Sequence, residues 1–218
     1  MQEFCTKHNV EFHMIKKTHS PRTSFVTYVY SLLKILKQLL PLTENDIVES
    51  ISVLEDTQKL INSKNLSETN TSIILSQKIS DIPLIYYPHG LEAAAIRFKS
   101  SLQENAKSHV IIEDIIESCH NGIVAWEKPS LLHPILIQGS DDYFKTKERW
   151  QILKKYFDEN NIKYFDIFST NGNILSKLID LIYRLDYVTI YKAISSEIDP
   201  STIRSIDFVK NHLDSTLE

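Results

Sequence analysis

The feature that most constrains this chain is a set of short, almost unbroken apolar runs spaced by longer amphipathic stretches. "VEFHMI" (10–15), "IPLIYY" (82–87), "HVIIED" (109–114), "HPILIQG" (133–139) and "IKYFDIF" (162–168) carry β-branched and aromatic residues and are too short for buried helices. Runs of this kind read as strands covered on both faces. Between them, helical periodicity predicts helices over 24–40, 43–62, 90–105, 141–160, 173–183 and 187–197. A last helix is expected to open near Asp199-Pro200, because an acid followed by proline starts a helix well. Strand–helix alternation predicts an α/β fold: a doubly wound parallel sheet in three layers, with its sites at the carboxyl ends of the strands.

One stretch breaks the alternation. "NSKNLSETNTS" (62–72) is rich in Asn, Ser and Thr and is expected to be a surface loop. It divides a front part, with one strand and two helices, from a back part with four strands. A single strand cannot form a sheet, so the front reads as the end of a unit that begins outside these 218 residues.

Charge and apolar content then exclude several classes. A net charge of −4 gives no global positive field for nucleic acid or an anionic membrane. "SLLKILKQLLPL" is broken by Lys34 and Lys37 and ends at a proline, which is too short and too charged to cross a bilayer. The first twelve residues lack the apolar centre and cleavage site of a signal peptide. Cys5 and Cys119, far apart in such a chain, fit free thiols in a reducing cytoplasm.

Two residues near the middle carry potential chemistry. On the helix over 90–105, Leu91, Ala94, Ala95, Phe98 and Leu102 make one buried stripe, while Ala93, Arg97 and Glu104 fall on the opposite side. That side reads first as a solvated polar face. Glu104, however, sits near the carboxyl end of its helix, where the macrodipole disfavours negative charge by roughly a few tenths of a kcal/mol. His120 follows "IIESC", just past a predicted strand end. Taken alone it reads as a hydrogen-bonded structural histidine. Beside a carboxylate it would suit enolisation next to a carbonyl.

The segment "IPLIYYPHGLEAAAIRFKSSLQENAKSHVIIEDIIESCHNGIVAWE" resembles the core of the bifunctional phosphoglucose/phosphomannose isomerases, which are built from two sugar isomerase (SIS) domains. The resemblance rests on the "IPLIY" strand, "AIRFK", "ENAK", and "ESCHN" followed by a tryptophan–glutamate pair. "LIDLIYRLDYVTIYKAI" and "DPSTIRSIDFVKNHL" are similar to the family's closing helices, and "HSPRTS" to the element after its first domain's last strand. The resemblance implies an aldose–ketose isomerase of carbohydrate metabolism, glycolytic and gluconeogenic, acting on hexose 6-phosphates. Glu104 would move the proton between C1 and C2. His120 and Lys210 would assist ring opening, and Arg22 would stabilise the enediolate. Pro21, Arg22 and Lys210 would contact substrate. It further implies a cytoplasmic homodimer whose site is shared, so that His120 serves the partner's Glu104, with no cofactor and no metal. The domain plan it implies is a SIS-domain tail over 1–41, a helical linker over 42–77 and a second SIS domain over 78–218.

The chain departs from the family pattern in lacking the glycine-rich turn and the Ser/Thr phosphate loop of the first SIS domain; its four glycines are scattered. Ile116 and Gly122 stand where the family often has a proline and an acid. A sugar-phosphate-binding or dimerisation module without turnover is therefore the alternative reading. Elsewhere, Cys5, His8, His13 and His19 form a poor zinc set, because His13 lies in a predicted strand. "FSTNGN" (168–173) is expected to cap a helix through its Ser and Thr rather than to cradle phosphate. Asp141 and Asp142 read as helix-start acids, and "TKERWQILKKYF" as a solvated helix. Glu117 is expected to orient His120 or to close a helix start.

Overall fold

The computed structural model describes residues 1–15, 20–80 and 82–215, the last two by backbone only. Its elements are α1 (Gln2–Lys7), α2 (Phe25–Ile35), α3 (Glu44–Ile61), α4 (Thr71–Lys78), β1 (Ile82–Tyr87), α5 (Glu92–Ala106), β2 (Ile111–Asp114), α6 (Ile115–Ser118), a 3-10 helix (Gly122–Glu127), β3 (Leu132–Gln138), α7 (Phe144–Glu159), β4 (Phe165–Phe168), α8 (Ile174–Ser195) and α9 (Arg204–Ser215). The chain divides into two compact units, Met1–Asn45 and Asp46–Glu218.

Met1–Asn45 is a small helical unit. Among its described residues only Cys5 and Ser24 are buried. The expected strand at 10–15 does not form; no partner strand lies among the unit's described residues, and an extended segment without a ladder leaves its backbone groups to water. Residues 20–23 make a turn in which the Thr23 hydroxyl donates to the Ser20 carbonyl at 3.1 Å, and α2 follows.

Asp46–Glu218 holds a four-stranded, fully parallel sheet in the order β2-β1-β3-β4. Alternation along the strands sends Leu84, Tyr86 and Leu136 to one face, where they pack with Ile115, Trp126, Trp150, Leu153 and Phe157. Trp126 Nε1 donates to the buried Tyr86 hydroxyl at 2.9 Å. Ile85, Ile135 and Ile137, all fully buried, turn to the opposite face. Helices α4, α5 and α8 pack together, as do α6 and α7, which gives the expected three-layer α/β arrangement.

Three differences from the sequence reading have physical causes. The segment 62–72 is not wholly a surface loop: Asn70 is fully buried, accepts from the amides of Ser72 and Ile73, and starts α4. Helix α8 runs unbroken through the polar "RLD" that suggested a gap. Arg184 pairs with Asp180 one turn back and Asp186 faces α5, so these charges are spent sideways. The last helix opens at Arg204; before it, Asp199 accepts from the Ser201 amide and hydroxyl at 2.8 and 2.6 Å and closes a turn instead.

Candidate active site

The apolar stripe on α5 is buried as expected: Leu91, Ala94, Ala95, Phe98 and Leu102 are each at most 3 % exposed. The other side of the helix is not a simple solvated face. The Arg97 guanidinium donates through Nε to Asp186 Oδ1 at 3.0 Å and through Nη2 to Oδ2 at 2.8 Å. Ser101 donates to the same carboxylate at 2.6 Å, and Asn105 to the Thr189 hydroxyl at 2.8 Å. This polar seam fixes the rotation of α5 against α8. It ends in the turn that carries Glu104, which is half-buried.

Topology sets which end of the sheet Glu104 occupies. Helix α5 leaves the carboxyl end of β1 and must return to start the parallel strand β2, so its last turn lies at the strands' amino ends. Helix α8 makes the same descent from β4. The last turn of α5, the segment after α8 and the first turn of α9 enclose an open cleft of about 870 Å³, lined by Gln103, Glu104, Lys107, Asp199 and residues 202–206. Lys107 is the left-handed residue that ends α5, at φ 55°, and its backbone amide donates to the Leu102 carbonyl. Its ammonium donates to the Glu104 carbonyl at 2.5 Å and to the Thr202 carbonyl at 2.6 Å. Hydrogen bonds from the Ser201 hydroxyl and amide, with the Lys107 charge beyond, hold the Asp199 carboxyl below its usual range.

Sequence reasoning passed over Lys107, Asp199 and Thr202 as lining residues. Lys107 was within reach, since a lysine directly after the last helical turn stands where it can bond the free carbonyls.

His120 lies at the other end of the sheet. Asp114 closes β2 and caps α6, accepting from the amides of Ile116 and Glu117 at 2.7 and 3.3 Å. The helix-start role expected of Glu117 therefore belongs to Asp114. What Glu117 contributes is its carbonyl, which takes the amides of His120 and Asn121 at 3.0 and 2.9 Å. The His120 side chain is exposed beyond this turn. The Glu113 carboxylate lies against Gly122, filling the space a side chain there would need. Burial, then the charges of Asp114 and Glu117, raise the Glu113 pKa, and burial raises that of Cys119.

Glu104 and His120 thus flank opposite ends of one sheet, and a single copy does not join them. Lys210 is exposed on α9, four residues beyond the cleft-lining Ile206. Pro21 and Arg22 lie in the Met1–Asn45 unit, in the turn that opens α2.

Most of the remaining carboxyl-end acids are satisfied internally, whereas the buried Ser169 hydroxyl makes no hydrogen bond among the described residues. The start of α8 is capped by Asn173, which accepts from the Ser176 amide at 3.0 Å, and not by the expected Ser or Thr. Glu49 of α3 accepts from the Asn173 amide at 2.9 Å. Asp141 and Asp142 precede α7 without capping it: Asp141 pairs with the buried Lys177, and Asp142 accepts from Trp150 Nε1 at 2.9 Å. The bond from Lys177 holds the Asp141 carboxyl low, whereas burial raises that of Asp142. Among the described residues, no three His, Cys, Asp or Glu side chains gather as a metal set; His19 lies outside those residues. No described helix is long and apolar enough to cross a membrane.

Residues 68–213 match the family model described as the bacterial phospho-glucose isomerase C-terminal SIS domain. The chain belongs to this family. A bifunctional phosphoglucose/phosphomannose isomerase of Caldicellulosiruptor bescii is 28% identical to it over 98% of this chain and 65% of that protein. One from Aquifex aeolicus is 24% identical over 98% and 64%. The chain therefore spans just under two thirds of the length of these relatives. Among solved structures, a glucose-6-phosphate isomerase like protein of Thermus thermophilus aligns over 88% of this chain and 61% of its own, at 16% identity and TM-score 0.67. A hypothetical protein of the same organism aligns over 99% and 60%, at 10% identity and TM-score 0.71. These establish a SIS fold for a chain whose curated relatives are named isomerases.

Proposed function

We propose that this chain forms part of an aldose–ketose isomerase that interconverts glucose 6-phosphate or mannose 6-phosphate with fructose 6-phosphate through an enediolate. The observation that carries the reading is the cleft at the end of α5, which holds the half-buried Glu104 and is walled by the first turn of α9, the helix that carries Lys210. Enolisation requires a carboxylate held close to a weakly acidic C–H and fixed positive charge near the developing oxyanion. Glu104 takes the C2 proton of the aldose and returns it to C1. Lys210, carried by the helix that begins at the cleft, and His120 assist ring opening, and Arg22 with Pro21 meets the substrate as the enediolate forms. The names of the relatives support a hexose 6-phosphate substrate.

The placement of Glu104 and His120 at opposite ends of one sheet favours a site composed by two copies, with His120 of one serving Glu104 of the other. The domain reading rests on the resemblance of the chain's motifs to the two-domain isomerases. Residues 1–41 form the tail of a first SIS domain. Residues 78–218 are the second SIS domain. The helices over 42–77 connect them, and α4 and much of α3 join the second unit through bonds such as Thr57 to Asp180 and Ser72 to the Arg184 carbonyl. Free Cys5 and Cys119 accord with a cytoplasmic protein.

The deciding experiment replaces Glu104 by Gln in the full chain and follows fructose 6-phosphate formation. Loss of turnover with retained folding supports the base role; near-normal turnover removes it. The scattered glycines favour the second reading, a sugar-phosphate-binding module without turnover. It would show as hexose 6-phosphate binding by the unaltered chain with no isomerisation.

A further inference from the structure

Resting on the isomerase reading of the cleft, we propose that Lys107 is its positioning residue, a clamp that fixes Glu104 against the segment leading into α9. Lys107 occupies a left-handed backbone position, φ 55° and ψ 29°, where a side chain is disfavoured and glycine is at ease. The backbone alone would therefore be better served without the lysine. What the side chain adds is a bridge between two separate segments. Its ammonium bonds the carbonyl of Glu104 itself and the carbonyl of Thr202, 95 residues away in sequence. Two of its three N–H donors are thereby committed.

The bridge has two consequences. It places a positive charge on a carbonyl in the last turn of α5, the negative pole of that helix, next to the Glu104 carboxylate. It also sets the width of the cleft, because residues 202–206 form its far wall and open α9, which carries Lys210. Asp199 holds the same segment from the other side through the Ser201 amide and hydroxyl. Lys107 acts through Glu104 and the wall, not on the reacting atoms.

The test compares Lys107→Gly, Lys107→Met and Lys107→Arg with the unaltered protein. Lys107→Gly removes the bridge while easing the backbone, so its melting temperature should stay level or rise. Amide exchange across residues 202–206 should nonetheless quicken by on the order of a hundredfold, the loss expected for two hydrogen bonds from a charged group. The same change is expected for Lys107→Met, and Lys107→Arg, which can still bond two carbonyls, should restore protection. Unchanged exchange in both Lys107→Gly and Lys107→Met overturns the clamp. For isomerisation, Lys107→Gly should lower kcat by about tenfold or more, with KM within twofold, and Lys107→Arg should recover most of it. Faster exchange with unaltered kcat overturns the positioning role and leaves only a structural tie. If Glu104→Gln itself leaves turnover intact, the isomerase reading of the cleft has failed, and the exchange measurement still decides the clamp.

Discussion

The two ends of the sheet solve the same problem in opposite ways. At the carboxyl ends, where a doubly wound fold ordinarily meets its ligands, the acids are spent on the protein. Asp114 caps α6, Glu49 meets the start of α8, Asp141 pairs with Lys177, and Asp142 takes the Trp150 indole. At the amino ends a cleft stays open, and its lysine is tethered to the main-chain carbonyls of Glu104 and Thr202. Glu104, the proposed base, sits at the end that the fold's general preference does not favour. Of the two central candidates, His120 is the one that lies where the rule points.

The largest expected effect concerns the open end. Glu104→Gln should lower isomerisation by about a thousandfold, within the span of a lost general base, with an unchanged circular dichroism spectrum. A loss of less than tenfold would break the contrast between the two ends. Next comes the exposed residue at the closed end. His120→Ala should slow turnover of ring-closed substrate by about a hundredfold while sparing an open-chain analogue; equal losses on both would remove His120 from ring opening.

A third substitution tests how the open end is held. Asp186→Ala removes the partner shared by Arg97 and Ser101 in the seam between α5 and α8. It should cost about 2–3 kcal/mol, seen as a lower denaturation midpoint, because hydrogen bonds to a charged group are lost at a half-buried site. The smallest effect belongs to the closed end. Burial and its acidic neighbours raise the Glu113 pKa above the ordinary 4.5, so the folded protein holds that proton more tightly than the unfolded chain. Stability should then rise as pH falls from neutral through the raised value, and level off below 4.5. Thermal melts of Glu113→Gln should lack that gain; a parallel pH profile in both proteins would contradict it.

Much of this was legible in the sequence, for physical reasons that also mark where legibility ends. "IPLIYY" forms β1 residue for residue, and "HPILIQG" lies one place from β3, because continuous apolar runs need cover on both faces. Strands β2 and β4 are shorter than their apolar runs, since pairing with the neighbouring strand sets their length. The Glu104 helix showed its buried stripe, yet the partners of Arg97 and Ser101 lie 85 to 89 residues further on, beyond any local pattern. The run of α8 through Asp186 and the burial of Asn70 were hidden in the same way, since Asp186 meets Arg97 and Asn70 meets Tyr191, partners distant in sequence. The candidate catalytic residues were found through resemblance. No periodicity marks which end of a sheet a helix's last turn will reach.

The most direct test mixes two inactive proteins. Glu104→Gln and His120→Ala variants, allowed to exchange subunits, should regain roughly a quarter of normal isomerase activity. Half the dimers formed at random are mixed, and each mixed dimer has one intact site of two. Activity that stays at the level of the separate variants, with exchange confirmed by mass, would contradict a site composed from the two ends of different copies.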